Sequence, residues 1–203
     1  MSAAIDRIRR GTVERQTGET RIELTLELDG SGSSSMKTGV LFLDHMLDAL
    51  CRHSGFDLSG VCSGDAVMDP HHSVEDVGIA FGQALKTAIG DRAGIARYGY
   101  AYAPLDEALS RFVVDFSGRP YLEYVVLMPE PVIGADFASS LVEEFWRAAA
   151  VNGGLTVHID LIRARNAHHA AEAIFKSAAL ALRQASRITR DQAFVPSTKG
   201  MLA

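Results

Sequence analysis

A short phrase of metal-binding residue types occurs twice in this 203-residue chain, 97 positions apart: His71-His72-Ser73-Val74-Glu75 and His168-His169-Ala170-Ala171-Glu172. Four of the seven histidines are used this way. On a helix advancing about 100° per residue, the second histidine lies about 100° from the first. The glutamate falls about 40° round, one turn along and between them. Each copy is therefore a compact patch of two imidazoles and one carboxylate on one helix face. A solvated polar face can also carry a single HHxxE phrase. Recurrence at equivalent places in two halves favours metal binding, and it implies a chain that arose by duplication.

Imidazole and carboxylate without thiolate suit divalent manganese, iron, cobalt, nickel or zinc. Three or four protein ligands leave positions open on an octahedral ion, as a catalytic metal requires. The duplication suggests a third ligand in each half. His45 lies 26 positions before His71, and Glu144 lies 24 before His168, each on the preceding predicted helix. The plain alternative for His45 is an exposed polar residue on an amphipathic helix. For Glu144, with Glu143 beside it, that alternative is stronger. Arg97, Arg119, Lys176 and the stretch Ser197-Thr198-Lys199-Gly200 supply cations and a hydroxyl able to hold a phosphate. Lys176 shares the face of the second patch, although each cation taken alone also reads as a solvated surface residue. Nucleophile motifs are weak: there is no GxSxG, and neither Cys51 nor Cys62 sits in an activating context.

The elements that must position these groups follow from hydrophobic period. Ile22, Leu24, Leu26 and Leu28 alternate with polar residues as a half-buried strand. Gly30 to Ser35 reads as a flexible turn and lacks the Gly-Lys-Ser/Thr ending of a phosphate loop. Residues 42–53 form a helix with Leu43, Met46, Leu47 and Leu50 on one stripe and His45 nearly opposite. A strand at 56–63 and the first HHxxE helix at 71–89 follow. Val74, Val77, Phe81 and Leu85 form that helix's core stripe, and Ile174, Phe175, Ala178 and Leu182 form its counterpart in the second copy. The second half predicts strands at 97–103, 111–117 and 121–127, with Ser117-Gly118-Arg119-Pro120 as the turn between the last two. A helix at about 137–151, a strand at 155–161 and the second HHxxE helix at about 166–187 complete it.

Both halves thus read strand, strand, helix, strand, helix. The expected fold class is α+β, an internally duplicated ββαβα unit in which each half is a sheet with two helices on one face. Residues 1–92 form the first half and 93–203 the second, with the seam at Gly90 to Gly94 and a C-terminal substrate-binding tail. The 47% hydrophobic content is enough for a buried core. A net charge of −5 and a pI near 5.8 argue against a nucleic-acid or anionic-membrane surface. No apolar run approaches the roughly 20 residues of a membrane span, and the charged start has no signal-peptide core. Two cysteines without metal or redox spacing fit reduced thiols. The expectation is a soluble, cytoplasmic protein.

Several stretches carry a resemblance: Phe42-Leu43-Asp44-His45-Met46-Leu47, Asp69-Pro70-His71-His72-Ser73-Val74-Glu75-Asp76, Pro104-Leu105-Asp106-Glu107-Ala108-Leu109, Asp115-Phe116-Ser117-Gly118-Arg119-Pro120, Asn166-Ala167-His168-His169 with Glu172 to Lys176, and Pro196-Ser197-Thr198-Lys199-Gly200. Together, from about Arg9 to Leu202, they resemble the imidazoleglycerol-phosphate dehydratase family. The resemblance implies a metal-dependent carbon–oxygen lyase of histidine biosynthesis that dehydrates imidazole glycerol phosphate to imidazole acetol phosphate. It implies manganese, two ions per active site, with other divalent transition metals acceptable. It also implies a large symmetric homo-oligomer, a 24-mer.

By position, the resemblance makes His45, His71, His72, Glu75, His168, His169 and Glu172 metal ligands. Glu144 stands where many members carry a histidine ligand. Arg97, Arg119, Lys176, Ser197 and Lys199 fall at substrate-phosphate positions, and Glu19 matches a glutamate proposed as the acid/base. Asp106 and Glu107 match a family signature to which the sequence attaches no physical role. The proton lost lies on a carbon with no adjacent carbonyl, so the imidazole ring itself must take up the charge; the resemblance implies that metal ions on its nitrogens enable this. Two other readings stay open: a metal-organised assembly protein without turnover, and a dinuclear phosphoesterase, which would be expected to have more aspartates among its ligands.

Overall fold

Ile22, Leu24 and Leu26 turn inward from one face of a strand, and Ser110, Phe112 and Val114 do the same 88 positions later. These rows are the centres of two four-stranded sheets in the computed structural model, which describes residues 9–64, 69–189 and 197. In the first half, β1 (Arg10–Gln16), β2 (Thr20–Glu27), β3 (Ser34–Lys37), α1 (Leu41–Ser54), β4 (Asp57–Gly64) and α2 (His71–Ile89) follow one another. The second half has β5 (Tyr98–Leu105), β6 (Ala108–Asp115), β7 (Tyr121–Val125), a short hairpin of β8 (Val132–Ile133) and β9 (Phe137–Ala138), then α3 (Leu141–Gly153), β10 (Thr156–Arg163) and α4 (Ala167–Ser186).

The sheet orders are β1-β2-β4-β3 and β5-β6-β10-β7, with matching directions throughout. The α+β fold with two similar sheets is the duplicated architecture that the repeated phrase implied. The first half carries one strand more than the expected order, β3, and the second half adds the short β8–β9 hairpin to its four sheet strands. Gly30 to Ser35 is not wholly a flexible turn: Ser34 and Ser35 begin β3, which runs parallel to β4. Asp57 at the start of β4 accepts the backbone N–H of Ser31 and of Ser33, each at 2.8 Å, which fixes the preceding loop. The turn around Gly118 does not close a hairpin, because β10 lies between β6 and β7. The helix expected from about 137 begins at Leu141, since Phe137 and Ala138 pair with Ile133 and Val132.

α1 and α2 pack on the first sheet and α3 and α4 on the second, and the helices pair across the halves, α1 with α4 and α2 with α3. The helices therefore lie between the sheets. Phe145 meets Phe81, Trp146 and Phe175 at ring-centroid distances of 5.9, 5.1 and 5.3 Å, all fully buried. Repeated close approaches fix this packing. A Cβ on Gly11 of β1 would run into the Ala84 carbonyl of α2, and one on Gly99 of β5 into that of Ala181 on α4. The helices that hold the two HHxxE patches are thus seated on their sheets by the same contact.

Candidate metal centre

The first two turns of α4 carry His168, His169 and Glu172, and α1 brings His45 from the other half of the chain. His45 Nε2 lies 3.5 Å from Glu172 Oε2, and His168 Nε2 lies 3.3 Å from the same oxygen. One donor atom from each of the three lies within 4.8 Å of the others. Metal–donor bonds of about 2.1 Å place neighbouring donors roughly 3 Å apart. Two imidazole nitrogens and a carboxylate at these separations therefore fit a divalent ion with room for further ligands. Phe42, one turn before His45, stacks edge-on against His168 at 5.3 Å and limits where the rings can turn. Burial would raise the Glu172 carboxyl, but the 2.7 Å ion pair with Lys176, together with His45 and His168, holds it below its usual range. The carboxylate stays ionised, as a ligand must be.

The first patch is looser. His71 Nε2 lies 3.9 Å from Glu75 Oε2 on α2, and the His71 and His72 rings stand perpendicular, 5.8 Å apart. Glu144, half-buried on α3 against α2, occupies the place that His45 has against α4. Glu144, His71 and Glu75 are not drawn to within 4.8 Å of one another as the first three are.

The second histidine of each phrase faces a hairpin. His72 Nε2 lies 3.6 Å from Glu19 Oε1, in the turn between β1 and β2. Thr17 shapes that turn by accepting the N–H of Glu19 and of Thr20. Asp76, buried on α2, ties the hairpin to the helix by accepting from Thr20 Oγ1 and, at 2.7 Å, from Arg15. His169 Nδ1 lies 2.8 Å from Glu107 Oε2, in the turn between β5 and β6. This contact raises His169 and, with backbone N–H groups, holds the Glu107 carboxyl down at about 2. The sequence attached no role to Glu107. Its signal lies in strand register: it precedes β6 as Glu19 precedes β2, a likeness the surrounding residues do not spell out.

The phosphate candidates are scattered among different partners. Arg97 lies along Asp115, with Nε 2.7 Å from Oδ1 and Nη2 3.0 Å from Oδ2, and its guanidinium sits 4.7 Å over the Tyr98 ring. Lys176 is paired with Glu172. Arg119 is exposed in the loop after β6, and Ser197 is half-buried. Lys199 lies outside the described residues.

The family model for imidazoleglycerol-phosphate dehydratase matches residues 38–182. An imidazoleglycerol-phosphate dehydratase of Magnetococcus marinus is 52% identical, covering 95% of this chain and 97% of that protein. One from Aromatoleum aromaticum is 53% identical over 96% of this chain and its own full length. The crystal structure of the enzyme from Staphylococcus aureus, 42% identical, superposes with a TM-score of 0.79 over 89% of this chain and 99% of that one. The Pyrococcus furiosus structure, 36% identical, gives 0.81 over 94% and 100%.

Proposed function

The chain belongs to the imidazoleglycerol-phosphate dehydratase family, and we propose that its HHxxE helices, with His45, Glu144 and the hairpin carboxylate Glu19, form the dehydration site. The family makes it a hydro-lyase of histidine biosynthesis acting on imidazole glycerol phosphate. The observation that carries the site assignment is the convergence of His45, His168 and Glu172 from opposite halves. His71, His72, Glu75, Glu144 and His169 complete the ligand set, for two manganese ions per active site.

A bound divalent ion supplies Lewis acidity and a template, lowering the cost of negative charge on the imidazole ring. The chain's own groups do the rest. Glu19, exposed and 3.6 Å from His72 Nε2, is placed beside the ligands as the acid/base that moves the substrate proton. Arg119, Ser197 and Lys199 hold the phosphate and fix the reacting carbon against that base. Arg97 and Lys176 contribute while shared with Asp115 and Glu172.

The same reading extends to organisation. Two fused units, 1–92 and 93–203, with the tail serving substrate, accord with the matching sheet orders. No helix among the described residues is long and apolar enough to cross a membrane, which accords with a cytoplasmic location. The assembly would be the large homo-oligomer of the family.

Chelation should abolish dehydration of imidazole glycerol phosphate, and manganese should restore it. His168→Ala should lose metal and activity together. Full turnover by verified metal-free protein would overturn the site assignment, and turnover of a simple phosphate ester instead would favour a phosphoesterase.

A further inference from the structure

We propose that Glu107 is a positioning residue for the second HHxxE patch: it takes the Nδ1–H of His169 and so presents Nε2, with its lone pair, as the metal-binding nitrogen. The inference rests on the reading of His169 as a ligand and adds what aims it. A neutral imidazole carries one proton and one lone pair, and a ring nitrogen can bind metal only through the lone pair. Which nitrogen is free is decided by what the other one faces. An ionised carboxylate only accepts, so at 2.8 Å it holds the proton on Nδ1.

Glu107 is built to hold that position. Asp106 and Glu107 are the two residues between the last paired positions of β5 and β6, Leu105 and Ala108. Asp106 takes the left-handed conformation, φ 46°, that so tight a reversal needs. The two carboxylate oxygens then divide the work. Oε1 accepts the backbone N–H groups of Arg165 and Asn166 at 3.2 and 3.1 Å, anchoring the side chain to the chain entering α4, while Oε2 faces the imidazole. Asn166 caps the same turn by accepting the His169 N–H at 3.0 Å. Ring and carboxylate are thus fixed to one rigid helix start.

The counterpart in the first half is arranged otherwise. Glu19 occupies the equivalent place before β2, yet faces Nε2 of His72 rather than Nδ1, at 3.6 Å, beyond a hydrogen bond. Its side chain is 55% exposed against 28% for Glu107. Duplication gave both halves the same hairpin carboxylate; one orients a ligand while the other is left free to meet substrate.

The test compares manganese affinity, measured on chelator-stripped full-length protein by competition with a metal indicator, for wild type, His169→Ala, Glu107→Gln, Glu19→Gln and Asn166→Ala. Loss of an orienting carboxylate weakens metal binding by roughly 10–100-fold. Glu107→Gln should show that loss at one class of site, with melting close to wild type. Glu19→Gln should keep its manganese affinity while losing turnover. Asn166→Ala, which removes the helix cap alone, should lower the melting temperature and shift affinity by far less. Unchanged affinity in His169→Ala would remove the ligand reading on which the proposal stands. Loss in His169→Ala with none in Glu107→Gln would overturn the positioning role itself. Equal losses in Asn166→Ala and Glu107→Gln would also overturn it, since helix-end order alone would then explain the effect.

Discussion

His45 and Glu144 stand at the same place in the two halves, each ten residues ahead of the left-handed glycine that ends its helix, Gly55 at φ 80° and Gly154 at φ 63°. The relationship gives Glu144 a defined structural position, the counterpart of His45. It also separates Glu144 from its neighbour, because Glu143 is paired with Arg147 one turn along the same helix.

Glu144→Ala should therefore lower manganese occupancy at one site per subunit, whereas Glu143→Ala should leave it unchanged. Elemental analysis of both variants after equilibration with manganese checks this. A carboxylate also adds negative charge where a histidine would not, so the wild-type site should favour hard ions over soft ones relative to Glu144→His. A manganese-bound structure with the Glu144 carboxylate outside coordination distance would count against the assignment.

Arg97 and Arg119 should separate when each is replaced by alanine. Arg97 has a left-handed backbone, φ 72°, and a side chain only 11% exposed against Asp115 at 17%. Removing it leaves Asp115 without that cation. The cost should fall between the roughly 1 kcal/mol of an exposed pair and the roughly 3–5 kcal/mol of a buried one. Arg97→Ala should thus melt several degrees lower. Arg119 is exposed, so Arg119→Ala should melt within about 0.5 kcal/mol of wild type. If Arg119 binds phosphate, its loss should raise KM more than tenfold, from the roughly 1.5–3 kcal/mol of one charge-assisted hydrogen bond. Differential scanning fluorimetry with steady-state kinetics separates the two, and an unchanged KM would remove Arg119 from the phosphate site.

The features legible in the sequence are those that repeat at short range. Val74, Val77, Phe81 and Leu85 at helical spacing marked α2, with all four fully buried, and alternation from Ile22 marked β2. β3 has no local signature, because Ser34 and Ser35 look like linker and pair only with a distant strand. The crossing of α1 onto α4 is a tertiary choice with no local signature, so His45 could be matched to Glu144 by count but not placed beside His168 and Glu172. Glu107 was hidden for a similar reason. Its equivalence to Glu19 exists in strand register, and the residues that follow, Ala108-Leu109-Ser110 against Thr20-Arg21-Ile22, share no identity.

The α2–α3 seam offers a test of whether the two ligand clusters can be uncoupled. A Cβ on Gly78 would lie 2.6 Å from the Phe145 carbonyl oxygen, and one on Gly82 would lie 2.5 Å from that of Ala149 and 2.8 Å from Gly153 N. These obstacles are backbone, which cannot swing aside as a side chain can. Alanine gains roughly 1 kcal/mol of helix propensity over glycine, but overpacking a tight helix contact costs about 1–3 kcal/mol, so Gly82→Ala should be net destabilising. For a chain of this size each kcal/mol corresponds to about 2–4 °C in melting temperature. Gly18→Ala, whose Cβ would meet nothing within 4 Å, should melt near wild type. The wedge should also act on one cluster more than the other. α2 carries His71, His72 and Glu75 and α3 carries Glu144, whereas His45, His168 and Glu172 sit on α1 and α4. Prying α2 from α3 should therefore weaken manganese at one class of site and spare the other, visible as a split in a titration that is more uniform in wild type. Equal weakening at both classes would show that the four helices move as one body and that the clusters cannot be tuned apart.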